Sequence, residues 1–193
     1  ATGGSGLYTA NVVIDTTPPN APTVALTSTD SGTASDRVTN VAPVIGVTAE
    51  AGSTVAVTAT KDGNAFTLFT GLSSISGTGS QVSWTPLGVP ASGSTGAALA
   101  DGVYVFSFTQ TDSAANVQST ASSLTVTVDT SPPTSTTVAL TSTDSGTSGD
   151  RVTNVAPVIG VTAEAGSTVA VTATKDGTAF TLFTGLSSIS GTG

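Results

Sequence analysis

Residues 101–111 read DGVYVFSFTQT and carry the clearest strand pattern in the chain. Aromatic side chains occupy alternate positions there, at Tyr104, Phe106 and Phe108. Because successive side chains of a strand point to opposite faces of its sheet, this spacing predicts a strand over 103–111 with a buried aromatic face. The Asp-Gly pair before the strand, followed by Tyr104, is typical of the tyrosine corner of an antiparallel sandwich.

The rest of this region predicts six more strands from the same alternation and from the Gly and Pro residues that separate the segments. Strands A to G are predicted over 23–28, 43–48, 53–60, 65–70, 81–85, 103–111 and 122–129. The Asp62-Gly63 pair predicts a hairpin turn, since it tolerates positive φ, and Trp84 is expected in the core. Seven short strands without a helical stripe predict an all-β fold, an immunoglobulin-like antiparallel β-sandwich.

A long internal repeat decides how the chain is organised. Residues 24–79 return as residues 138–193 at an offset of 114, with only three differences in 56 positions. The differences are Ala34/Ser148, Ser35/Gly149 and Asn64/Thr178, all in predicted loops. A second match pairs VIDTTPP, at 13–19, with TVDTSPP, at 127–133.

A period of 114 residues is the length of a whole domain and exceeds the roughly 20–50 residues of a solenoid unit. We therefore expect a piece of a tandem array. Residues 1–17 are interpreted as the closing strand and linker of a preceding repeat, and residues 18–130 as one complete Ig-like repeat. Residues 131–193 are interpreted as an incomplete second repeat that holds strands A to D.

The composition argues against most kinds of catalysis. The chain has no Cys and no His, which excludes Ser-His-Asp triads, thiol nucleophiles, disulfides and thiolate metal sites. Two carboxylates such as Asp30 and Asp36 could in principle serve a glycosidase. Only nine residues are aromatic, however, and most of these fall at predicted core positions, so a substrate platform is not expected. We expect no enzymatic activity.

Charge and hydropathy indicate which partners to expect. The chain has twelve acidic and four basic residues, and its net charge is −8. This charge argues against binding to nucleic acid or to anionic membranes. No apolar run approaches the roughly 20 residues of a membrane-spanning helix, so direct membrane insertion is not expected.

The acidic residues fall where the loops of a sandwich would meet its linkers. Strands alternate in direction, so the A–B, C–D and E–F loops are expected at the outgoing end, and the B–C and F–G loops at the incoming end. Oxygen-rich loops suit a hard cation such as Ca²⁺, which takes 6–8 oxygen ligands. The candidate metal ligands are Asp30, Asp36, Asp101 and Asp129 at the outgoing end, Asp15, Asp112 and Asn116 at the incoming end, and the copies Asp144 and Asp150.

An alternative interpretation assigns these side chains to the turns themselves. Asp commonly accepts hydrogen bonds from the backbone of a turn, and Asp62 is interpreted in this way only. Asp101 is alternatively a structural residue of the E–F corner.

Two long segments together resemble a known family. TDSGTASDRVTNVAPVIGVTAEAGSTVAV, at 29–57, and LADGVYVFSFTQTDSAANVQSTASSLTVTVDTSPP, at 99–133, resemble the bacterial Ig-like extender repeats of very large secreted adhesins. Those adhesins belong to the repeats-in-toxin (RTX) and other type I-secreted group. The resemblance implies an extracellular spacer on the bacterial cell surface that projects an adhesive tip for cell adhesion and biofilm formation. It also implies structural Ca²⁺ near the domain junctions.

The resemblance further implies that the partners are neighbouring repeats of the same chain and that the ligand of the tip binds outside these residues. The sequence departs from the family in two places. Ala115 replaces the Gly of the usual Asp-x-Ala-Gly-Asn turn, which is costly if the turn needs positive φ there. Residues 86–100 also form a longer E–F connection than expected.

The main alternative is a carbohydrate- or receptor-binding Ig-like module, which predicts an exposed aromatic side chain or a deep pocket between loops. A third possibility is a specific contact made by the 86–100 insertion.

Overall fold

A computed structural model describes residues 10–182 and 188–190. The chain divides into two units, Ala1–Ser131 and Pro132–Gly193. In the first unit the strands are β1 (Thr23–Leu26), β2 (Val38–Thr39), β3 (Ile45–Thr48), β4 (Thr54–Lys61), β5 (Asn64–Phe66), β6 (Ser74–Ser76), β7 (Gln81–Trp84), β8 (Gly102–Thr111) and β9 (Ser122–Val128). None of the described residues belongs to a helix long and apolar enough to cross a membrane.

The first unit contains two sheets. One has the order β1-β3-β7, and the other has the order β2-β9-β8-β4-β5, with β6 also paired to β4. The pairs are antiparallel except for the short β2–β9 pair, which is parallel. The predicted all-β, immunoglobulin-like antiparallel sandwich is confirmed.

Strand β8 is the centre of the larger sheet, and its predicted aromatic face is buried. It pairs with β4 from Thr54↔Thr111 to Lys61↔Tyr104 and with β9 on its other side. Its side chains at 104, 106 and 108 are at most 1% exposed. From the opposite sheet, Trp84 packs edge-to-face against Phe106 and Phe108, with ring centroids 5.5 and 5.8 Å apart. In a chain without Cys, this apolar and aromatic burial holds the sheets together.

Two predicted local motifs are confirmed. The Tyr104 hydroxyl donates to the Ala100 carbonyl at 2.8 Å, which closes the tyrosine corner. Asp62 and Gly63 have φ values of 50° and 79°, as a two-residue hairpin turn with positive φ at both positions requires.

The predicted strand D over 65–70 is wrong. The chain continues the β4 hairpin only as far as β5, on the same sheet as β4, and then turns toward the 86–100 insertion. The backbone N–H of Phe69 donates to the Leu87 carbonyl at 2.8 Å, and Leu68 forms a bridge with Gly88. The insertion therefore takes the hydrogen bonds that a strand D would have made. Strands β2 and β6 were not predicted, because two or three residues are too short to show an alternation.

The 86–100 insertion covers the side of the sandwich beside β5. Pro86 and Leu99 are buried, and Gly88 bridges both Leu68 and Ala97. A Cβ on Gly88 would lie 2.9 Å from the Phe66 ring, so glycine allows this close approach. Covering a sheet margin in this way protects it from pairing with other chains.

The second unit repeats several pairings of the first. Its described strands are β10 (Thr137–Leu140), β11 (Ile159–Thr162), β12 (Thr168–Ala170), β13 (Ala173–Lys175), β14 (Thr178–Phe180) and β15 (Ser188–Ser190). The pairs β10–β11, β12–β15 and β13–β14 keep the registers of β1–β3, β4–β6 and β4–β5 at the 114-residue offset.

Burial differs between these copies of one sequence. Ile45 is 0% exposed, whereas its copy Ile159 is 55% exposed. The single strand β4 corresponds to two strands, β12 and β13, interrupted at 171–172. Strand β4 is bonded along its whole length to β8, and residues 131–193 include no copy of β8. In the first unit this strand is continuous along its pairing with β8.

Residues 10–17 form no strand, and Val12, Val13 and Ile14 are more than 80% exposed. The interpretation of residues 1–17 as the closing strand of a preceding repeat stays a prediction, because the strands that would pair with it belong to that repeat. Residues 1–9 lie outside the described residues.

Candidate linker-binding and metal sites

Asp101 binds the linker that follows β9. Its Oδ1 accepts hydrogen bonds from the backbone N–H and the hydroxyl of Thr130, at 2.9 and 2.7 Å. Its Oδ2 accepts from the Ser131 hydroxyl at 2.6 Å. The Ser131 hydrogen bond, followed by those from Thr130, lowers the pKa of Asp101 from its ordinary 3.8 to about 2. The carboxylate is therefore ionised at neutral pH and fastens the residues that leave the sandwich.

The Asp62 turn meets the E–F corner at the same end, as predicted from the alternating strand directions. Asp62 Oδ1 accepts from the Val103 N–H at 2.9 Å. Asp129 lies beside β2, where its N–H donates to the Thr39 carbonyl at 3.0 Å, and its Oδ1 accepts from the Ser131 N–H at 3.1 Å. The outgoing linker therefore starts in a network of hydrogen bonds.

The structure brings Asp15, Asp112 and Asn116 together at the incoming end, as predicted. The side-chain nitrogen of Asn116 donates to Asp112 Oδ2 at 2.8 Å and to the Asp15 carbonyl at 3.1 Å. Hydrogen bonds from Asn116 lower the pKa of Asp112, with the side-chain bond as the largest cause. The carboxylate of Asp15 accepts from the Thr17 N–H at 3.0 Å and so caps its own linker.

The F–G turn needs positive φ at Ala115, where φ is 69°. Asp112 Oδ1 accepts from the backbone N–H groups of Ala114 and Asn116, and the Asp112 N–H donates to the Asn116 carbonyl. The turn thus keeps its hydrogen bonds although Ala115 stands where glycine would be unstrained.

Asp30 and Asp36 lie in the loop between β1 and β2, and both accept backbone hydrogen bonds. Asp30 Oδ2 accepts from the Ser35 N–H at 2.7 Å, and Asp36 Oδ1 accepts from the Val38 N–H at 2.9 Å. Their copies Asp144 and Asp150 make the equivalent bonds to Gly149 and Val152. Oδ1 is buried without a hydrogen-bond partner in Asp30 and again in Asp144.

The donor chemistry of these sites suits Ca²⁺, which prefers oxygen. Within residues 10–182 and 188–190, however, no three His, Cys, Asp or Glu side chains come together in a group that could hold a metal. All eight candidate carboxylates accept at least one backbone N–H, as the turn interpretation requires. The buried free oxygens of Asp30 and Asp144 are those that a cation or a water would satisfy. Calcium binding stays a prediction.

Several interactions at the ends of the sandwich were not predicted. Ser122 Oγ donates to the Pro22 carbonyl at 2.5 Å, and Thr130 and Ser131 donate to Asp101. In a chain where 65 of 193 residues are Ser or Thr, a hydroxyl gives no positional signal.

A buried pair of glutamines was also not predicted, although the alternation in β8 indicates that one of them is buried. Gln110 occupies the core-facing position that follows Tyr104, Phe106 and Phe108 in the alternation, and it is 1% exposed. Its N–H donates to Gln118 Oε1 at 2.7 Å. Gln118 Nε2 donates in turn to the carbonyls of Phe108 and Thr120, so this pair satisfies backbone groups at the incoming end.

The carbohydrate-binding alternative predicts an exposed aromatic side chain or a deep pocket between loops. The described residues of the first unit show no surface of this kind. Its described aromatic side chains are buried or half-buried. A groove of about 300 Å³ at the incoming end is lined by Asn20, Ala21, Thr23, Thr48, Ala49, Glu50, Gly79 and Gln110, without an aromatic residue. In the second unit Phe180 is 55% exposed, so an exposed aromatic side chain is present there, whereas no described aromatic residue of the first unit offers a saccharide platform.

Comparison with known protein families matches residues 16–130 to the family described as the bacterial Ig-like domain. The match begins within the incoming linker and ends at Thr130, one of the residues bound by Asp101. No curated protein matches the chain.

Proposed function

Because the chain belongs to the bacterial Ig-like domain family, we propose that it is a structural extender of a bacterial cell-surface adhesin. In this proposal the chain is extracellular, and its repeats hold an adhesive tip away from the cell. The partners are neighbouring repeats, the ligand of the tip binds elsewhere, and the chain has no catalytic role.

The observation that carries the proposal is that the complete sandwich binds its linker at both ends. At the incoming end Asn116 binds the Asp15 carbonyl, Ser122 binds the Pro22 carbonyl, and Pro19 and Pro22 are buried. At the outgoing end Asp101 binds Thr130 and Ser131. A linker that is fixed to its domain limits hinge motion, and the Pro-Pro pair that follows restricts φ further.

The proposal includes structural Ca²⁺ at the linkers. The Asp15 carbonyl and Asp112 Oδ2 both lie within hydrogen-bond distance of one Asn116 nitrogen, so the two oxygens face a common point. With the amide oxygen of Asn116 they would supply a three-oxygen group of the type that Ca²⁺ prefers. A cation held there would take the place of the Asn116 nitrogen, so its coordination would replace the two hydrogen bonds of that nitrogen and fasten the same linker.

Thermal unfolding of a chain with two complete repeats tests the calcium part of this function. Gly193 aligns with Gly79, so attaching residues 80–131 after Gly193 completes the second copy. We expect millimolar Ca²⁺ to raise Tm relative to EDTA, because a ligand at about 100 times its Kd adds about 2.7 kcal/mol per site to the folded state.

The matched controls are NaCl at equal ionic strength and Asp112→Asn in each copy. The control salt should not reproduce the shift, and the substitution should reduce it. Superimposable curves in Ca²⁺ and EDTA would remove calcium from the proposal and leave a spacer stiffened by hydrogen bonds and prolines. Saturable binding to a glycan array would instead favour the carbohydrate-binding alternative.

A further inference from the structure

We infer that the Ala100-Asp101-Gly102 corner is a recognition site for the linker of its own repeat, and that it selects a hydroxyl at each of the two positions before Pro-Pro. This inference rests on the proposed spacer function and specifies which residues fix the joint. The ligand of the site is a short peptide segment, residues 130–131, and the site works without a metal.

The corner is built so that the carboxylate of Asp101 has a fixed position. The Tyr104 hydroxyl holds the Ala100 carbonyl on one side. On the other side, Asp62 binds the Val103 N–H. Gly102 has a φ of 149°, and a Cβ there would lie 2.4 Å from Lys61 Cε. A carboxylate held by a rigid backbone can select its donors by position.

The linker reaches this site because of the register of the last two strands. Gly102 pairs with Val128 between β8 and β9, so the residues after β9 pass directly beside Asp101. Asp129 then caps the Ser131 N–H, which turns the chain back toward the corner. As a result, the hydroxyls of Thr130 and Ser131 reach different oxygens of the same carboxylate.

The two linkers of the chain agree with a hydroxyl requirement. Thr16 and Thr17 stand at the positions of Thr130 and Ser131, so both linkers carry a hydroxyl at both positions even where the residue changes. Past the Pro-Pro pair the linkers diverge, as Asn20/Thr134, Ala21/Ser135 and Pro22/Thr136. The segment that contacts Asp101 therefore keeps its two hydroxyl groups in both linkers, whereas the residues after Pro-Pro do not keep their side-chain type.

Charge is essential to this recognition. Three donors converge on Asp101, and its lowered pKa keeps it anionic, with an acceptor at each oxygen. Asparagine would keep one acceptor for Thr130, but its NH₂ group can bind Ser131 only if that hydroxyl accepts instead of donating, and the charge-assisted hydrogen bonds are lost. Asp101→Asn therefore weakens the recognition while it keeps the size of the side chain.

The test is amide hydrogen exchange by NMR on the full 193-residue chain at neutral pH in EDTA. The Thr130 N–H reports the site directly, because it donates to Asp101 Oδ1. The Thr127 N–H, which donates to the Arg37 carbonyl, reports whether the sandwich remains folded. We expect Asp101→Asn to speed Thr130 exchange at least tenfold and to leave Thr127 protected.

Two linker variants keep the test decisive if Asp101→Asn does not fold. Thr130→Val with Ser131→Ala removes both hydroxyls and should speed Thr130 exchange, whereas Thr130→Ser with Ser131→Thr keeps both hydroxyls and should preserve protection. Glu50→Gln, at an exposed carboxylate of the incoming end, is the matched control and should leave Thr130 unchanged.

Thr130 protection that survives Asp101→Asn or the loss of both hydroxyls, with Thr127 still protected, would overturn the inference. So would Thr130 protection that the unmodified chain shows in Ca²⁺ and loses in EDTA, because the site would then depend on a metal. Since the variants are all compared in EDTA, failure of the calcium proposal would leave this result unaffected. The hydrogen bonds from Thr130 and Ser131 to Asp101 form the Asp101 clamp. If the clamp fails this test, the Ca²⁺-dependent shift in Tm can still be measured.

Discussion

The side-chain nitrogen of Asn116 donates a hydrogen bond to the backbone carbonyl of Asp15, which lies 101 residues earlier in the chain, at 3.1 Å. The bond connects the turn between β8 and β9 to the linker that enters the sandwich. The geometry of a four-residue turn therefore sets how the linker is held. Ala115, beside Asn116, has the positive φ that this turn requires.

Ala115→Gly should stabilise the first unit. An L-residue in the left-handed region costs roughly 1–2 kcal/mol, and the greater unfolded-state entropy of glycine cancels part of the gain. We expect the free energy of unfolding to rise by about 0.5–1 kcal/mol, measured by urea denaturation. Ala114 is the matched control, because its φ is not positive and Ala114→Gly should be destabilising. Equal effects of the two substitutions would contradict the assigned turn geometry.

The Asp101 clamp should weaken in acid. Its folded-state pKa is about 2, below the ordinary 3.8, so its contribution to stability is present above pH 3.8 and is lost as the pH falls toward 2. We expect the Tm difference between the unmodified chain and Asp101→Asn to be constant from pH 5 to 7 and to vanish near pH 2. The measurement is a series of thermal melts across that range. A difference that is the same at pH 2 and pH 6 would mean that the ionised carboxylate contributes nothing.

Gln118→Ala should be strongly destabilising, because the Gln118 side chain is buried and binds the backbone of Gln110 and Phe108. It would leave the Gln110 N–H and the Thr120 carbonyl without their hydrogen-bond partner. Each unsatisfied buried group costs about 1–3 kcal/mol, so we expect a loss of at least about 2 kcal/mol in urea denaturation. The exposed neighbour Ser119, changed to Ala, serves as control and should cost less than about 0.5 kcal/mol. A loss below 1 kcal/mol for Gln118→Ala would show that water replaces the glutamine at no cost.

Completing the second copy should restore its interrupted strand. In the first unit β4 is continuous because β8 bonds to it along its whole length. Attaching residues 80–131 after Gly193 supplies the missing partner, and we expect the amides of residues 171–172 to become as protected from exchange as those of residues 57–58. Attaching only residues 80–101, which lack β8, should leave residues 171–172 unprotected. Equal protection in the two extended chains would contradict the dependence on β8.

The sequence was informative about the fold where physical signals were strong. The alternation at Tyr104, Phe106 and Phe108 predicted strand β8 with its buried aromatic face, and the Asp62-Gly63 pair predicted the hairpin turn between β4 and β5. The same reasoning failed at 67–70, where the alternation predicted the rest of strand D but Leu68 and Phe69 pair with the 86–100 insertion. Local periodicity does not indicate that a segment further along the chain will take the hydrogen bonds of a predicted strand.

The candidate sites were also predicted only in part. Alternating strand directions predicted that Asp112 and Asn116 would meet Asp15 and that Asp101 would lie at the outgoing linker. The identity of their hydrogen-bond partners was not predicted. The turn interpretation predicted that Asp side chains accept backbone N–H groups, but residue types do not indicate which N–H groups these are, and the hydroxyls of Thr130 and Ser131 are two among many in a Ser/Thr-rich chain. Which hydroxyl reaches which oxygen of Asp101 depends on the register of the β8–β9 pair, and register is a property of the folded sheet.

The central claim is that linkers fixed to their own domains make these repeats a stiff spacer. The most direct measurement is the distance distribution between two spin labels in the two-repeat chain, recorded by pulsed electron resonance in Ca²⁺. The chain has no Cys, so Thr58→Cys with the equivalent Thr172→Cys gives two specific, exposed attachment sites. The account predicts one narrow distribution that broadens when Asp101→Asn in the first repeat and the change equivalent to Asn116→Ala in the attached second repeat are introduced together. A broad distribution in the unmodified chain, unchanged by those substitutions, would contradict it.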